Sequence, residues 1–202
     1  MKKLFILLAA ALVSFNALGQ VRIAGAASIG GYDKMNDISS EVGGAARIFY
    51  DYNIGTIGSG EQYAISVGAG YLMNNISTKG TAYEGKMNTS WLQIPVALTS
   101  FYPIGSGDLY ASVGVYYAYG ISGKIEASSG SVGASIDILH NETSSVNILK
   151  AHDFGFIGQA GYCFPFNVGI YVGYNRGLLN IAAQSDSEAK NELIEAGIFY
   201  RF

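Results

Sequence analysis

Few side chains in this chain could do chemistry, and most of those are charged. Arg22, Arg47, Asp51, Asp153, Glu195 and Arg201 fall on the small, polar face of segments that alternate with period two. Three are positive and three negative. Equal numbers of opposite charges on one enclosed face predict mutual pairing, because a buried charge without a partner is very unfavourable. If the first and last segments lie side by side, Arg22 is expected beside Glu195 or Arg201. The competing reading is a charged constriction that selects ions.

Other candidates are sparse. His140 and His152 are the two histidines, and Ser144, Ser145 and Glu142 stand near the first of them. A nucleophile–base–acid set is defined by geometry, which spacing cannot supply. No His or Cys pair has metal-ligand spacing, so neither a metal nor a cofactor is expected. Asp33, Asp37 and Glu41 read as solvated acids, with a weak divalent-cation contact as the alternative. Cys163 is the sole cysteine, so no intramolecular disulfide can form. The glycines from Gly25 to Gly31 and from Gly114 to Gly120 lie on strand-like segments and make no phosphate loop. Asn75, Asn88 and Asn141 head Asn-x-Ser/Thr triplets without further consequence.

Behind these residues lies an exported chain. Lys2 and Lys3 precede an apolar run from Leu4 to Phe15, and Ala17-Leu18-Gly19 supplies the small residues of a cleavage site. The run is shorter than the roughly 20 residues a membrane helix needs. Residues 1–19 are therefore expected to be a cleaved signal peptide, and residues 20–202 one domain. Loss of two lysines takes the formal charge from −3 to about −5, with no basic patch for nucleic acid. Half the residues are hydrophobic and 13% are charged, about half the usual share of charge for a soluble domain. Abundant apolar side chains without a helical span are the composition of a membrane β-barrel.

Eight segments alternate: Val21–Ile29, Val42–Tyr52, Tyr63–Met73, Leu92–Tyr102, Leu109–Ile121, Asp153–Phe164, Val168–Tyr174 and Leu193–Phe202. Leu109, Ala111, Val113, Val115, Tyr117, Tyr119 and Ile121 form one face of the fifth. Tyr110, Ser112, Gly114, Tyr116, Ala118 and Gly120 form the other. The charged, small face cannot meet lipid, since Arg or Lys in hydrocarbon costs about 2–4 kcal/mol at the midplane. It must line the crowded interior of a small barrel. The fold expected is an eight-stranded antiparallel up-and-down transmembrane β-barrel. Tyr50, Tyr52, Tyr63, Tyr102, Tyr162, Phe164, Tyr200 and Phe202 then gather at the periplasmic ends. Tyr71, Tyr117, Tyr119, Phe154 and Tyr174 gather at the outer rim, giving two interfacial girdles. Residues 53–62, 103–107 and 165–167 are expected as periplasmic turns. Residues 32–40, 74–90, 123–149 and 179–192 are expected as outer loops.

Four stretches carry a family likeness. They are Trp91-Leu92-Gln93-Ile94-Pro95-Val96-Ala97-Leu98, Asp153-Phe154-Gly155-Phe156 with Gln159-Ala160-Gly161-Tyr162, Tyr174 through Ile181, and the terminal Tyr200-Arg201-Phe202. In these the chain resembles the small outer-membrane β-barrels of Bacteroidetes, the PorT-like or "porin family" barrels. Gln93 stands where that family has a glutamate. The resemblance implies that Tyr200 and Phe202 form the insertion signal read by the barrel-assembly machinery. It also implies an outer-membrane location, with lipid and lipopolysaccharide as surroundings.

The expected function is non-enzymatic: a structural barrel, or one that binds a surface or periplasmic partner through its loops. The alternatives are a narrow porin-like channel for ions or small solutes, a lipid A-modifying enzyme with a rim triad, and a secretion accessory.

Overall fold

Alternating side chains leave each strand with one apolar face and one polar face, and closing the sheet into a ring hides the polar one. In a computed structural model the described residues are 19–33, 39–58, 60–79, 84–129, 132–139, 149–183 and 188–202. They hold nine strands: β1 (Gly19–Asp33), β2 (Ser39–Ile57), β3 (Glu61–Lys79), β4 (Glu84–Ile104), β5 (Gly107–Ser129), β6 (Val132–Asp137), β7 (His152–Cys163), β8 (Val168–Gly177) and β9 (Lys190–Arg201). All neighbours pair antiparallel. The order β4-β3-β2-β1-β9-β8-β7-β5 closes on itself through β4 and β5. Eight strands make the barrel, as the alternation predicts. β6 stands apart, pairing through Val132–Asp137 with Lys124–Ser129 of β5, above the point where β5 pairs with β7.

Burial follows the alternation. Along β4, Trp91, Gln93, Pro95, Ala97 and Thr99 are buried while Leu92, Ile94, Val96 and Leu98 are exposed. Exposed here means facing out of the ring, and that surface is Ile, Val, Leu, Tyr and Phe throughout. Tyr102 is paired with Leu109, and Leu109 with Tyr162, which brings the two tyrosines to one level at the periplasmic end of the ring. At the other end Tyr117 is paired with Phe154, and Tyr119 with His152.

The strands outrun the sequence expectation in two places. Residues 53–62 were expected as a loose turn. Instead β2 and β3 pair on to Ile57 and Glu61 past a bulge between Asn53 and Gly55. That bulge breaks the period-two phase, which is why the alternation stops at Tyr52. The hairpin closes on Gly58 and Gly60, both with positive φ, which glycine adopts without steric cost. At the opposite end, residues 74–79, 84–90, 123–129 and 132–137 of the expected outer loops continue as β3, β4, β5 and β6. Beyond the membrane the outward face meets water rather than lipid, so it need not be apolar, while inward residues such as Ile76 and Met87 stay buried.

Small inward residues make room for large ones. A Cβ on Gly70 would stand 2.6 Å from Cγ of Arg47, one on Gly173 2.6 Å from Oε1 of Glu195, and one on Gly169 2.1 Å from the Phe199 ring. The lumen is thus closed by side chains that strand glycines accommodate.

Candidate functional site

The inward charges are the natural place to look for chemistry, and the barrel arranges them in tiers. Near the periplasmic end Arg201 reaches Asp108 at 3.6 Å and lies over the Phe101 ring at 4.3 Å. One tier up, Arg22 is bidentate on Asp51, with Nε to Oδ2 at 2.9 Å and Nη2 to Oδ1 at 3.1 Å. Its guanidinium also lies 4.2 Å from the Phe49 ring centre and 5.0 Å from that of Tyr110. Phe101, Tyr110, Tyr171 and Phe199 fill the space around it, with buried Cys163 beside them.

A hydrogen-bonded chain then crosses the barrel. Ser66 Oγ donates to Asp51 Oδ1 at 2.6 Å. A hydroxyl has one proton, so Ser66 must accept from Thr99 (2.6 Å), and Thr99 in turn from Ser112 (2.9 Å). On the other side Arg22 Nη1 donates to the Tyr110 hydroxyl (2.9 Å), which donates to Gln159 Oε1 (2.6 Å). Gln159 Nε2 donates to Glu195 Oε1 (3.0 Å), and Glu195 accepts both 2.8 and 3.0 Å bonds from Arg47 Nη1. Arg47 Nε donates to Gln93 Oε1 at 2.9 Å. Arg22 is 1% exposed and the Arg47 and Glu195 side chains 0%. Two desolvated ion pairs, stitched together by neutral polar groups, fill the middle of the barrel.

Arg22 lies beside Arg201 as expected, but its ion partner is on another strand. Arg22 is paired with Asp51, and Glu195 with Arg47. Arg22 and Arg201 are register partners across β1 and β9, yet their side chains take separate carboxylates on other strands. Asp153 makes no ion pair among the described residues; it accepts from the Tyr116 hydroxyl (3.0 Å) and from Asn191 Nδ2 (2.9 Å). Tyr110, Gln93 and Gln159 belong to the network and Asp108 faces Arg201; none is among the six charged candidates, although Gln93 stands where the resembled family has a glutamate. Gln93 and Gln159 carried a signal, since both are large polar side chains on the inward face.

Above the charges the outer mouth is closed by an apolar cap. Ile138, Leu139, Leu149 and Ile181 are buried there with Leu72, Trp91 and Leu193. Asn180 pins this cap, its Oδ1 accepting from the backbone N–H groups of Ala182 and Ala189, both at 3.0 Å. His152 is exposed on the outer rim and hydrogen-bonds the Tyr117 hydroxyl through Nδ1. His140, Glu142, Ser144, Ser145 and Asp37 lie outside the described residues, so the rim triad has no geometry to report. Glu41 stands 4.0 Å from Lys86 Nζ on the surface. Among the described residues no group of three or more His, Cys, Asp or Glu could hold a metal. Tyr200 and Phe202 are outward and exposed, their rings edge to face at 4.7 Å.

A closed eight-stranded ring with apolar side chains outward, aromatic rims and charges inward defines an outer-membrane β-barrel. The chain belongs to the family described as outer membrane protein beta-barrel domain, whose model matches residues 13–183, and its location is the outer membrane. No curated protein matches the chain in sequence. Among solved structures it is similar to Ail, the attachment invasion locus protein of Yersinia pestis. There the identity is 15%, the coverage 91% of this chain and 97% of that one, and the TM-score 0.45. It is also similar to the outer membrane enzyme PagL, at 11% identity, 90% and 98% coverage and a TM-score of 0.48. Neisserial surface protein A matches at 13% identity, 91% and 97% coverage and a TM-score of 0.44.

Proposed function

We propose that this protein is a non-enzymatic outer-membrane anchor that presents a projecting β-sheet to a partner at the cell surface. The observation that carries this reading is strand length. A tilted strand crosses the bilayer in about 9–11 residues, whereas β4 has 21 and β5 has 23. Past its outer aromatic Tyr119, β5 continues to Ser129, roughly 34 Å along the strand at about 3.4 Å per residue. There β3, β4, β5 and β6 pair in sequence, and among the described residues β6 pairs along one edge only. An open edge is a template for another strand. The filled lumen and apolar cap weigh against transport as the main task.

The finer readings follow the same line. Residues 1–19 would be the leader, so N-terminal sequencing of the protein taken from membranes would begin at Gln20. The resemblance in four stretches supports membership among the PorT-like barrels of Bacteroidetes. Tyr200 and Phe202 would be read by the assembly machinery, and lipid and lipopolysaccharide would surround the outer face.

The test is crosslinking on intact cells. The tagged full chain is compared with a variant in which Lys124–Asp137 is replaced by a short turn, outside the membrane segment. A stoichiometric partner captured by the first and lost by the second supports the proposal. Equal capture by both, or capture of abundant bystanders alone, counts against it.

A further inference from the structure

Between the Arg47–Glu195 tier and the apolar cap lies a cavity of about 30 Å³, lined by Asn74, Trp91, Asp153, Asn175 and Asn191 among others. One water requires about 10–15 Å³ on this measure, so there is room for an ion and a water but none for a sugar or a lipid headgroup.

Its walls are unusual in their polar groups. Seven buried side-chain nitrogen or oxygen atoms lack a hydrogen-bond partner in the protein among the described residues, and four belong to this wall: Asn74 Oδ1, Asp153 Oδ1, Asn175 Nδ2 and Asn191 Oδ1. Three of the four are oxygens. Their orientation is determined by their neighbours. Asn191 uses its amide nitrogen on Asp153 Oδ2, which turns its oxygen away. Asn74 uses its nitrogen on the Gly31 carbonyl at 3.5 Å. The Asn175 amide is oriented at one remove, because Arg47 takes the Gln93 oxygen and leaves the Gln93 nitrogen to donate to Asn175 Oδ1.

Charge points the same way. Arg22 and Arg47 are each neutralised by a carboxylate, and Arg201 faces Asp108. Asp153, 0% exposed, has only neutral donors. A carboxylate so enclosed must be neutralised, by a bound cation or by a proton. Arg47 Nη2 also lacks a partner and would suit an anion, but the Asp153 carboxylate in the wall would repel one.

We propose that this cavity binds one small hard cation, held by the carboxylate of Asp153 and the amide oxygens of Asn74 and Asn191. All-oxygen ligands suit sodium or calcium rather than a soft metal. The three ligands come from β7, β3 and β9, so the ion ties together strands that do not all neighbour one another in the ring. It is a staple at the outer end of the lumen, independent of what the projecting sheet binds.

Trp91 is the sole tryptophan and lines the cavity, so it can sensitise terbium used as an oxygen-seeking probe. The full chain is refolded in detergent with terbium present, which removes any barrier to its passage through the cap, and excited in the tryptophan band. Saturable terbium emission is expected, displaced by calcium or by sodium, whichever is the native ion. D153N is expected to lower the apparent affinity about tenfold or more, since affinity for hard cations tracks ligand charge. N74L, which keeps the carboxylate, supplies a second reading if D153N does not fold, and is expected to weaken emission as well. Emission of equal affinity in both variants places the terbium on surface acids and overturns the proposal. Absence of saturable emission from the folded wild type overturns it too. A protonated Asp153 in isotope-edited infrared spectra would then identify the compensating charge as a proton.

Discussion

At the residue scale, the two buried ion pairs set the stability of the lumen. Removing one partner leaves the other charge desolvated, so Glu195→Ala is expected to destabilise the barrel by about 3–5 kcal/mol. Replacing both, Arg47→Met with Glu195→Leu, is expected to cost much less, because no orphan charge remains. Urea unfolding of the refolded barrel in vesicles measures both, and equal losses would show that the pair is uncoupled. Gly173→Val gives a steric counterpart. Its Cβ would stand 2.6 Å from Glu195 Oε1, and overpacking of that kind costs about 1–3 kcal/mol. These residues show what a linear reading can reach. Alternation places Arg22, Arg47, Asp51 and Glu195 on one face, since facing depends only on parity. It cannot name partners: Arg47 and Glu195 are 148 positions apart, and they meet because long side chains cross the lumen. Tyr110 and Gln159, the links between the two pairs, carry no charge to draw attention to them.

At the element scale, the strands are amphipathic only where the bilayer makes them so. Val113, 64% exposed on the outer face of β5, sits between the two aromatic rims. Leu109 is the register partner of Tyr102 and Tyr162 and so lies at the periplasmic one. Val113→Lys is expected to cost about 2–4 kcal/mol and Leu109→Lys about 0–1 kcal/mol, following depth in the membrane. Similar losses at both positions would mean that the apolar band is not where the rims place it. The direction of the barrel is tested separately by labelling. Lys86→Cys, on the outer extension of β4, should react with a membrane-impermeant maleimide on intact cells. Thr56→Cys, on the β2–β3 hairpin, should react only after the outer membrane is permeabilised, and buried Cys163 provides a low background. The same physics explains why the extensions were missed from sequence. Lys79, Lys86, Asn88 and Lys124 belong to regular strands, but beyond the lipid the outward face is no longer apolar, and the apolar alternation by which a membrane strand is recognised is lost.

At the scale of the whole molecule, the question is whether the barrel is a conduit or a mount. An ion moving along the axis would first meet the Arg201–Asp108 contact and the Arg22–Asp51 pair packed among Phe49, Tyr110 and Phe199. It would then meet the Arg47–Glu195 pair and finally the cap of Ile138, Leu139, Leu149 and Ile181. The Arg47 and Glu195 side chains are fully enclosed. Opening a water file past them means separating desolvated charges or tilting rings that are packed from several strands. Fluctuations of the outer cap alone would not suffice, because the ion pairs lie beneath it and are held by β1, β2 and β9. The purified protein in planar bilayers is therefore expected to stay silent, without steady unitary conductance. A reproducible unitary step, reduced when Arg47 and Glu195 are replaced together, would place the conducting path through that pair and make the barrel a narrow channel. Silence would favour the projecting sheet over the filled lumen as the place where a partner acts.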